Sequence, residues 1–373
     1  MDFDFSTEQY MLRDSARRFL TDHAGPRQVR AQGAAFDAAL WQGLADLGLP
    51  SLLVPEAHGG AGLGLVDAAL LWEEMGRSLL APPMLQAMVA SDTLARHATA
   101  AQAGAWLPAL AAGQLRPAFA HQEMNAGHTA DEVRLQARRS GEGWRLEGDK
   151  VLVPAAASAT HLLVSARSGD GPAGLFVCTA SAPGVTVHGH EAMDAHSALC
   201  KVSFRGAQAQ ALGESPDSQA LARLLQAHTL AASLQMVGVA AAALDLALAY
   251  AKQRTQFDRL IGSFQAIKHK FSDMLVALES ARSTAYFAAW ALAENDPAQA
   301  MAASMAKAVC GDMCRLVCNE ALQIHGGVGF THEFDIHWFM RRGKYLEYAF
   351  GDASFHRERV ASLLLDDAAA TTA

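Results

Sequence analysis

Two segments in the C-terminal part of the chain carry residue types suited to holding a phosphate-containing ligand. The first, at residues 253–269, reads QRTQFDRLIGSFQAIKH and places Arg254 and Phe257 at a turn between two predicted helices. A guanidinium group can bind a pyrophosphate through two parallel hydrogen bonds, and the phenyl ring can cover an aromatic or sugar face. A surface arginine beside a core phenylalanine would have the same sequence, so this segment alone is compatible with either a ligand-binding or a purely structural role.

The second segment, at residues 323–330, reads QIHGGVGF and is followed by a charged helix. The paired glycines Gly326 and Gly327 let a backbone approach a ligand closely and offer its N–H groups to phosphate or ribose oxygens. Because many helices end in glycine, an ordinary helix terminus would also explain this segment.

Three of the five cysteines, Cys310, Cys314 and Cys318, recur every four residues and therefore share one helix face. A metal site on that face is conceivable, but structural zinc sites normally pair cysteines from loops and need a fourth ligand. We therefore predict small buried apolar residues and no metal. An odd number of cysteines in a long chain also favours reduced thiols over a disulfide framework.

Composition excludes several classes of partner. The chain has 30 Lys+Arg against 38 Asp+Glu and 51% hydrophobic residues, with no basic run. Nucleic acids and anionic lipids would require clustered Lys and Arg. The opening MDFDF is acidic, and the most apolar stretch, residues 230–244, is shorter than the ~20 residues that span a bilayer. These features predict a cytoplasmic protein without a membrane or nucleic-acid partner.

The periodicity of apolar residues predicts the elements that position these segments. Apolar positions recur at helical spacing over residues 6–112, apart from a Pro- and Gly-rich loop at residues 54–62. From about Arg116 the runs become short, rich in β-branched residues and separated by turn signals, and helical spacing returns after residue 216. We predict a mainly α protein with a central β domain, divided into residues 1–115, 116–212 and 213–373.

With the loop VPEAHGGAG and the helix, β, helix order, these segments resemble the acyl-CoA dehydrogenase family over nearly the whole chain. The resemblance implies an N-terminal helical domain, a small β-barrel or sandwich and a C-terminal four-helix bundle. It also implies FAD, an acyl-CoA substrate and an electron-transfer partner. In that family, R-x-x-F…F-Q and Q-x-x-G-G segments of one subunit hold the adenosine and pyrophosphate of FAD bound mainly by its neighbour. The residues assigned in this way to a shared FAD site are Arg254, Phe257, Gln265, Gln323, Gly326 and Gly327.

The chain departs from the family at the position of the catalytic base. In most members a Glu after an R-D-A-K turn abstracts the α-proton of the acyl-CoA; here the turn reads R-R-G-K and the matching residue is Phe350. In a minority the Glu lies in the first helix of the C-terminal bundle, which matches His228 here. His228 is either a base or a histidine packed inside the bundle. Glu347 and Asp352 are the carboxylates nearest to Phe350 in sequence, and the catalytic base stays unknown.

The flavin-ring side departs from the family as well. Where members read G-x-K-x-W-[IV]-T-[NS], with the Trp and Thr against the isoalloxazine, this chain has Leu152 and Pro154. Leucine offers no indole, and proline offers neither a hydroxyl nor an N–H group. The loop at residues 122–128, QEMNAGH, also lacks the hydroxyls with which family members hold flavin and CoA phosphates.

Together these departures favour a base-lacking partner in an α2β2 complex with a homologous subunit. The opening MDFDFSTEQ, the R-R-G-K turn and the FGDASFH segment are most similar to small subunits of the pimeloyl-CoA and steroid side-chain type. Such a complex would introduce a 2,3 double bond into a bulky or dicarboxylic acyl-CoA. Two alternatives remain: a self-sufficient homo-oligomeric flavoenzyme that uses His228 or a relocated carboxylate, and an assembly subunit that binds no nucleotide.

Overall fold

The computed structural model describes residues 4–33, 35–141 and 143–371 of the chain. The fold separates into two compact units. The first unit comprises Met1–Arg30, Leu65–Leu80 and Thr229–Ala373, and the second comprises Ala31–Gly64 and Ala81–His228. The predicted three-domain division stays a prediction.

The N-terminal third is helical, as the periodicity predicts. Its helices are α1 (Thr7–His23), α2 (Pro26–Gln32), α3 (Ala38–Asp46), α4 (Leu65–Arg77), α5 (Pro83–His97) and α6 (Ala100–Ala111). Capping boxes begin two of them: Ser6 with Gln9 starts α1, and Thr99 with Gln102 starts α6. These reciprocal bonds satisfy backbone N–H groups that a helix start leaves unpaired.

The central β region forms a closed circuit of strands inside the second unit. Its strands are β1 (Pro117–Ala120), β2 (Gln136–Ser140), β3 (Gly143–Pro154), β4 (His161–Arg167), β5 (Ala173–Thr179), β6 (Val185–Gly189) and β7 (Leu199–Ala211). Pairing runs β4–β2–β3–β7–β5 and returns to β4, while β1 pairs with β4 and β6 pairs with β7. Inward side chains such as Leu146, Phe176 and Phe204 fill its core. The predicted central β domain is thereby confirmed, and of the two forms that the resemblance implies, barrel or sandwich, the closed strand circuit is that of a barrel.

Long helices resume after the barrel and continue to the C-terminus. They are α7 (Ser218–Ala251), α8 (Gln265–Ala293), α9 (Gln299–His325), α10 (Ile336–Tyr348) and α11 (Ala353–Thr371). A short hairpin, β8 (Thr255–Gln256) with β9 (Arg259–Leu260), connects α7 to α8. The mainly α class with a central β domain and C-terminal helices is confirmed.

Within the first unit, α4 and α7 cross at two glycines. A Cβ atom built on Gly238 would lie 1.9 Å from the carbonyl oxygen of Glu73, and one built on Gly76 would lie 2.1 Å from that of Gln235. Neither distance is compatible with a side chain, so the backbones of the two helices can approach this closely only because both positions are glycine.

Helix α7 is the one helix in the described residues that is long and apolar enough to cross a membrane. Its most apolar window has a mean hydropathy of 1.7, and 83% of that window is buried inside the protein. Its apolar side chains are therefore already covered by protein, as in the core helix of a globular fold.

Candidate functional site

The end of α7 and the end of α9 meet around a cleft of about 410 Å³ in the first unit. Arg254 and Gly327, from the two segments singled out in the sequence, both line it. Tyr250, Gln256, His325 and Thr331 contribute further polar or aromatic groups. The cleft therefore joins a cation and a glycine turn that are far apart in the chain.

The β8–β9 hairpin carries Arg254 at its base and Phe257 at its tip. The amide of Ile261 donates to the carbonyl of Arg254 over 2.9 Å and closes the hairpin base. Phe257 and Asp258 both have positive φ, 52° and 57°. Tight turns of this kind favour Asn-Gly, because a bulky residue in the left-handed region is strained. The Phe257 side chain is nevertheless 87% exposed, although its ring meets that of Phe264 edge-on at a centroid distance of 6.2 Å.

The glycine turn after α9 has a conformation that requires its residue types. Gly326 has φ 64° and ψ −146°, a region that is essentially restricted to glycine. A Cβ atom on Gly327 would meet nothing within 4 Å, so the backbone there faces open space. Close approach of a ligand to this backbone is therefore possible.

The remaining predicted cofactor residues lie near these segments but do not line the cleft. Gln265 is the first residue of α8, and Gln323 lies in the last turn of α9; both side chains are exposed. The structure thus brings Arg254 and Gly327 together, while Phe257, Gln265 and Gln323 are open to contacts from outside the chain. The role of all six residues in FAD binding stays a prediction.

Sequence reasoning did not identify the aromatic rings beside the cleft. The rings of Tyr250 and His325 are stacked, with centroids 4.5 Å apart and planes inclined by 17°. Phe334 meets both rings edge-on, at 5.9 Å from Tyr250 and 6.1 Å from His325. Two sequence signals could have identified these rings: a tyrosine lies one helical turn before Arg254, and a histidine lies directly before Gly326.

Phe350, the position of the expected catalytic glutamate, lies in the turn between α10 and α11. Its φ is 60°, and its carbonyl accepts a hydrogen bond of 2.9 Å from Nε2 of His356. The fully buried Lys307 supports the same turn, because Nζ donates to the carbonyls of Glu347 at 2.9 Å and Gly351 at 2.6 Å. Burial lowers the pKa of Lys307 to about 8. The turn is firmly held but offers no carboxylate at position 350.

The two neighbouring carboxylates are both engaged. Buried Glu347 accepts a hydrogen bond of 2.8 Å from Lys344 and lies 3.4 Å from a guanidinium nitrogen of Arg315. Asp352 accepts a 2.9 Å bond from the amide of Phe355 in the first turn of α11. These contacts give both side chains structural roles, Glu347 in ion pairing and Asp352 in capping α11.

His228, the alternative base position, is buried in the second unit. Its Nδ1 donates to the carbonyl of Leu224 over 2.9 Å, and Nε2 lies 3.1 Å from the side-chain oxygen of Gln86. The ring also packs against Phe119, with centroids 4.9 Å apart. Burial lowers the pKa of His228 to about 4. Its burial and these contacts favour the interpretation of His228 as a histidine packed inside the fold rather than a catalytic base.

Sequence profiles of two domains match the chain. The acyl-CoA dehydrogenase N-terminal domain matches residues 6–114, and the acyl-CoA dehydrogenase C-terminal domain matches residues 219–365. The chain is also 30% identical over 380 residues to the probable acyl-CoA dehydrogenase YngJ of Bacillus subtilis, a match that covers 98% of this chain and 100% of YngJ. The chain belongs to the acyl-CoA dehydrogenase family.

Solved structures of acyl-CoA dehydrogenases have the same fold. A variant of the Tcur3481-Tcur3483 steroid ACAD has a TM-score of 0.90 at 34% identity, covering 97% of this chain and 99% of the other. The ChsE4-ChsE5 complex from Mycobacterium tuberculosis has a TM-score of 0.88 at 28% identity, covering 98% and 99%. Acyl-CoA dehydrogenases are FAD flavoproteins that act as oxidoreductases on CH–CH bonds.

One part of FAD fits the residues of this acyl-CoA dehydrogenase chain. Arg254 supplies a guanidinium group, and the open backbone at Gly327 supplies N–H groups, beside a cleft that a planar or sugar group can enter. These are the groups that a pyrophosphate and its adenosine require. The first unit therefore fits the nucleotide part of the cofactor.

The residues that correspond to the flavin-ring side do not fit an isoalloxazine. Leu152 lies at a bulge of β3 with φ 54° and is 53% exposed. Pro154 ends β3, is buried and pairs with Leu199 of β7. Leu152 offers no aromatic face, and Pro154 offers neither a hydroxyl nor an N–H group, so these two residues do not supply the contacts that an isoalloxazine requires.

A buried polar network supports this side of the second unit. Fully buried Lys150 donates to the carbonyl of His121 at 2.9 Å, to Oε1 of Glu123 at 2.7 Å and to Oγ of Ser165 at 2.9 Å. The Glu123 carboxylate also accepts hydrogen bonds from two backbone amides, those at positions 134 and 135. Burial lowers the pKa of Lys150 to about 8. The network attaches the loop after β1 to strands β3 and β4.

Two buried histidines of the second unit predict acid sensitivity. Burial lowers the pKa of His121 to about 3 and that of His228 to about 4. Since an unfolded histidine titrates near 6.5, the unfolded chain binds protons first as the pH falls. Stability is therefore fully present above pH ~6.5 and is lost toward pH 4, by about 3 kcal/mol for His228 alone.

Urea denaturation at pH 7 and pH 4.5 checks this prediction. The His228→Gln variant should lose less stability between the two pH values than the wild type. The exposed His190 is the matched control, and His190→Gln should follow the wild-type pH dependence. Equal pH dependence of wild type and His228→Gln would contradict the assignment of a neutral buried imidazole.

The cysteines are buried and free, as predicted. The sulfur atoms of Cys314 and Cys318 lie 3.9 Å apart on α9, and burial raises the pKa of Cys310 to about 12. Within the described parts of the chain, no three His, Cys, Asp or Glu side chains are grouped to hold a metal ion. The five cysteine side chains therefore pack as small, largely apolar groups.

Proposed function

We propose that this chain is the base-lacking subunit of a heteromeric acyl-CoA dehydrogenase and completes the FAD site of a homologous catalytic subunit. One contrast carries the proposal: the cleft of Arg254 and Gly327 has the groups for a nucleotide, whereas position 350 is a phenylalanine. The carboxylates nearest to Phe350 in sequence, Glu347 and Asp352, are engaged in ion pairing and helix capping.

Each segment of this chain would have a defined task in such a complex. FAD, when bound, accepts the electrons removed from the acyl-CoA. Arg254 would neutralise the pyrophosphate, and the backbone at Gly327 would donate hydrogen bonds to it. The exposed ring of Phe257, on its strained turn, would be buried against the partner or its cofactor. The partner subunit would supply the carboxylate that takes the α-proton.

The relatives support this assignment and its substrate class. The ChsE4-ChsE5 complex and the Tcur3481-Tcur3483 protein are both named for two components, and the latter is called a steroid ACAD. We propose a bulky acyl-CoA, such as a steroid side chain, or a dicarboxylic acyl-CoA as substrate, and an electron-transfer protein as acceptor. We further propose a cytoplasmic location and the domain division at residues 115 and 212.

The visible spectrum and native mass, measured alone and after co-expression with a homologous subunit, test the proposal. We expect a colourless protein alone and a yellow α2β2 complex with the partner. A yellow homo-oligomer that bleaches with an acyl-CoA would instead establish the self-sufficient enzyme. A colourless but stable complex would point to an assembly subunit.

The Arg254→Ala variant tests the cofactor contact itself. Loss of a charge-assisted contact to pyrophosphate costs about 2–3 kcal/mol, so FAD should bind to the complex roughly 30- to 160-fold more weakly. Flavin absorbance per complex after gel filtration provides the measurement. Arg138→Ala, at an exposed arginine of β2, is the matched control and should retain full flavin. Unchanged retention in Arg254→Ala would remove Arg254 from the site.

A further inference from the structure

His325 connects the two walls of the cleft. It lies directly before Gly326, and its ring is stacked on Tyr250, whose carbonyl accepts a 2.9 Å hydrogen bond from the amide of Arg254. The imidazole therefore occupies a fixed place between the arginine hairpin and the glycine turn.

The hydrogen-bonding state of the His325 ring follows from its neighbours. Nδ1 lies 2.8 Å from the carbonyl oxygen of Ala321, which only accepts, so Nδ1 carries the proton. Burial lowers the pKa of His325 below its ordinary value and keeps the ring neutral at pH 7. In the neutral ring Nε2 is then an acceptor, and within the described residues it has no hydrogen-bond partner. His325 lines the cleft, and Nε2 is the ring nitrogen left for a ligand that enters it.

Nε2 of His325 is a hydrogen-bond acceptor and therefore recognises donor groups of a ligand, unlike the donors of the cleft, Arg254 and the amide of Gly327. Arg254 and the backbone amide of Gly327 are donors and suit phosphate oxygens. An ionised pyrophosphate ester has no proton to give to Nε2. The adenosine part of a nucleotide has hydroxyl and amino donors, so it supplies what His325 requires.

We propose that His325 determines specificity for the adenosine part of FAD, with Nε2 accepting a hydrogen bond from a hydroxyl or amino group of the nucleotide. The inference rests on the proposed function, because it concerns the same cleft. It adds a residue outside the six that the sequence resemblance assigns.

The flavin-free co-assembled complex provides the test, with ADP and inorganic pyrophosphate as competitors of FAD. His325→Phe keeps a flat ring on Tyr250 and removes the acceptor. We expect FAD and ADP to bind about five- to tenfold more weakly to this variant, while pyrophosphate competes as in the wild type. His325→Gln, which keeps an acceptor oxygen, should recover part of the loss. His332→Phe, at an exposed histidine that does not line the cleft, is the matched control.

The competitors separate the possible failures. Equal ADP binding by the wild type and His325→Phe would overturn the inference, and so would a parallel loss of ADP and pyrophosphate binding, which indicates a distorted cleft. If the His325→Phe variant does not assemble, the wild-type complex still provides a test. ADP that binds to the wild type no more strongly than pyrophosphate would also overturn the inference. The proposed function fails separately, when Arg254→Ala leaves FAD and pyrophosphate binding unchanged.

Discussion

Replacement of Gly238 by alanine is expected to destabilise the protein by more than about 3 kcal/mol, through a clash that neither helix can relieve locally. The new methyl group would lie 1.9 Å from the carbonyl oxygen of Glu73 and 2.7 Å from the amide nitrogen of Arg77. Both are backbone atoms of α4, so no side-chain rotation removes the overlap. The two helices must separate, and the apolar surface between them then loses its contacts.

Chemical denaturation of Gly238→Ala measures this effect, and Gly104→Ala provides the matched control. Gly104 lies exposed in α6, where a Cβ atom would meet nothing within 4 Å. Because alanine is the better helix former, Gly104→Ala should raise the free energy of unfolding by about 0.5–1 kcal/mol. A Gly238→Ala protein within 1 kcal/mol of wild type would show that the crossing is looser than described.

Replacement of Lys150 by methionine should cost about 3–5 kcal/mol, because it leaves the Glu123 carboxylate buried without its cation. Methionine is of similar length and leaves little empty space. The carboxylate keeps its two backbone donors, and the carbonyl of His121 and the hydroxyl of Ser165 each lose a donor. The loss arises mainly from the unpaired charge and less from the cation itself.

A double-mutant cycle distinguishes these contributions. Glu123→Gln in the Lys150→Met background removes the stranded charge and should restore part of the stability. Lys201→Met, on the neighbouring strand β7, is the control: its 3.6 Å ion pair with Asp149 is partly exposed and worth at most about 1 kcal/mol. A Lys150→Met variant no less stable than the Lys201→Met variant would contradict the buried pair.

The sequence predicts the fold class well because periodicity is a local signal. Short runs rich in β-branched residues between turn signals identify the central β domain, and spacing of three and four identifies the helices. Arg254 and Gly327 could also be selected, since arginine and paired glycines at helix ends have a recognisable chemistry. Their meeting in one cleft could not be derived from spacing, because it depends on how α7 and α9 end relative to each other.

Other features depend on contacts that a linear pattern does not record. Gly238 is one of many small residues in α7, and only the crossing with α4 makes it irreplaceable. Lys150 appears in the sequence as one more strand lysine, although its partners lie 15 to 29 residues away. The acceptor role of Nε2 in His325 likewise cannot be derived from the sequence, because it depends on the hydrogen bond between Nδ1 and the carbonyl of Ala321.

The two buried lysines, Lys150 and Lys307, can report when the structure around each of them opens to solvent. Lys150 lies in the second unit and Lys307 in the first, and both ammonium groups are fully buried. Amine-reactive reagents modify only an amine that reaches solvent, so each site acquires its label when its own surroundings open. The rate at which each lysine is labelled, measured by mass spectrometry, therefore reports the opening of each unit separately. The measurement needs no added dye and no engineered residue.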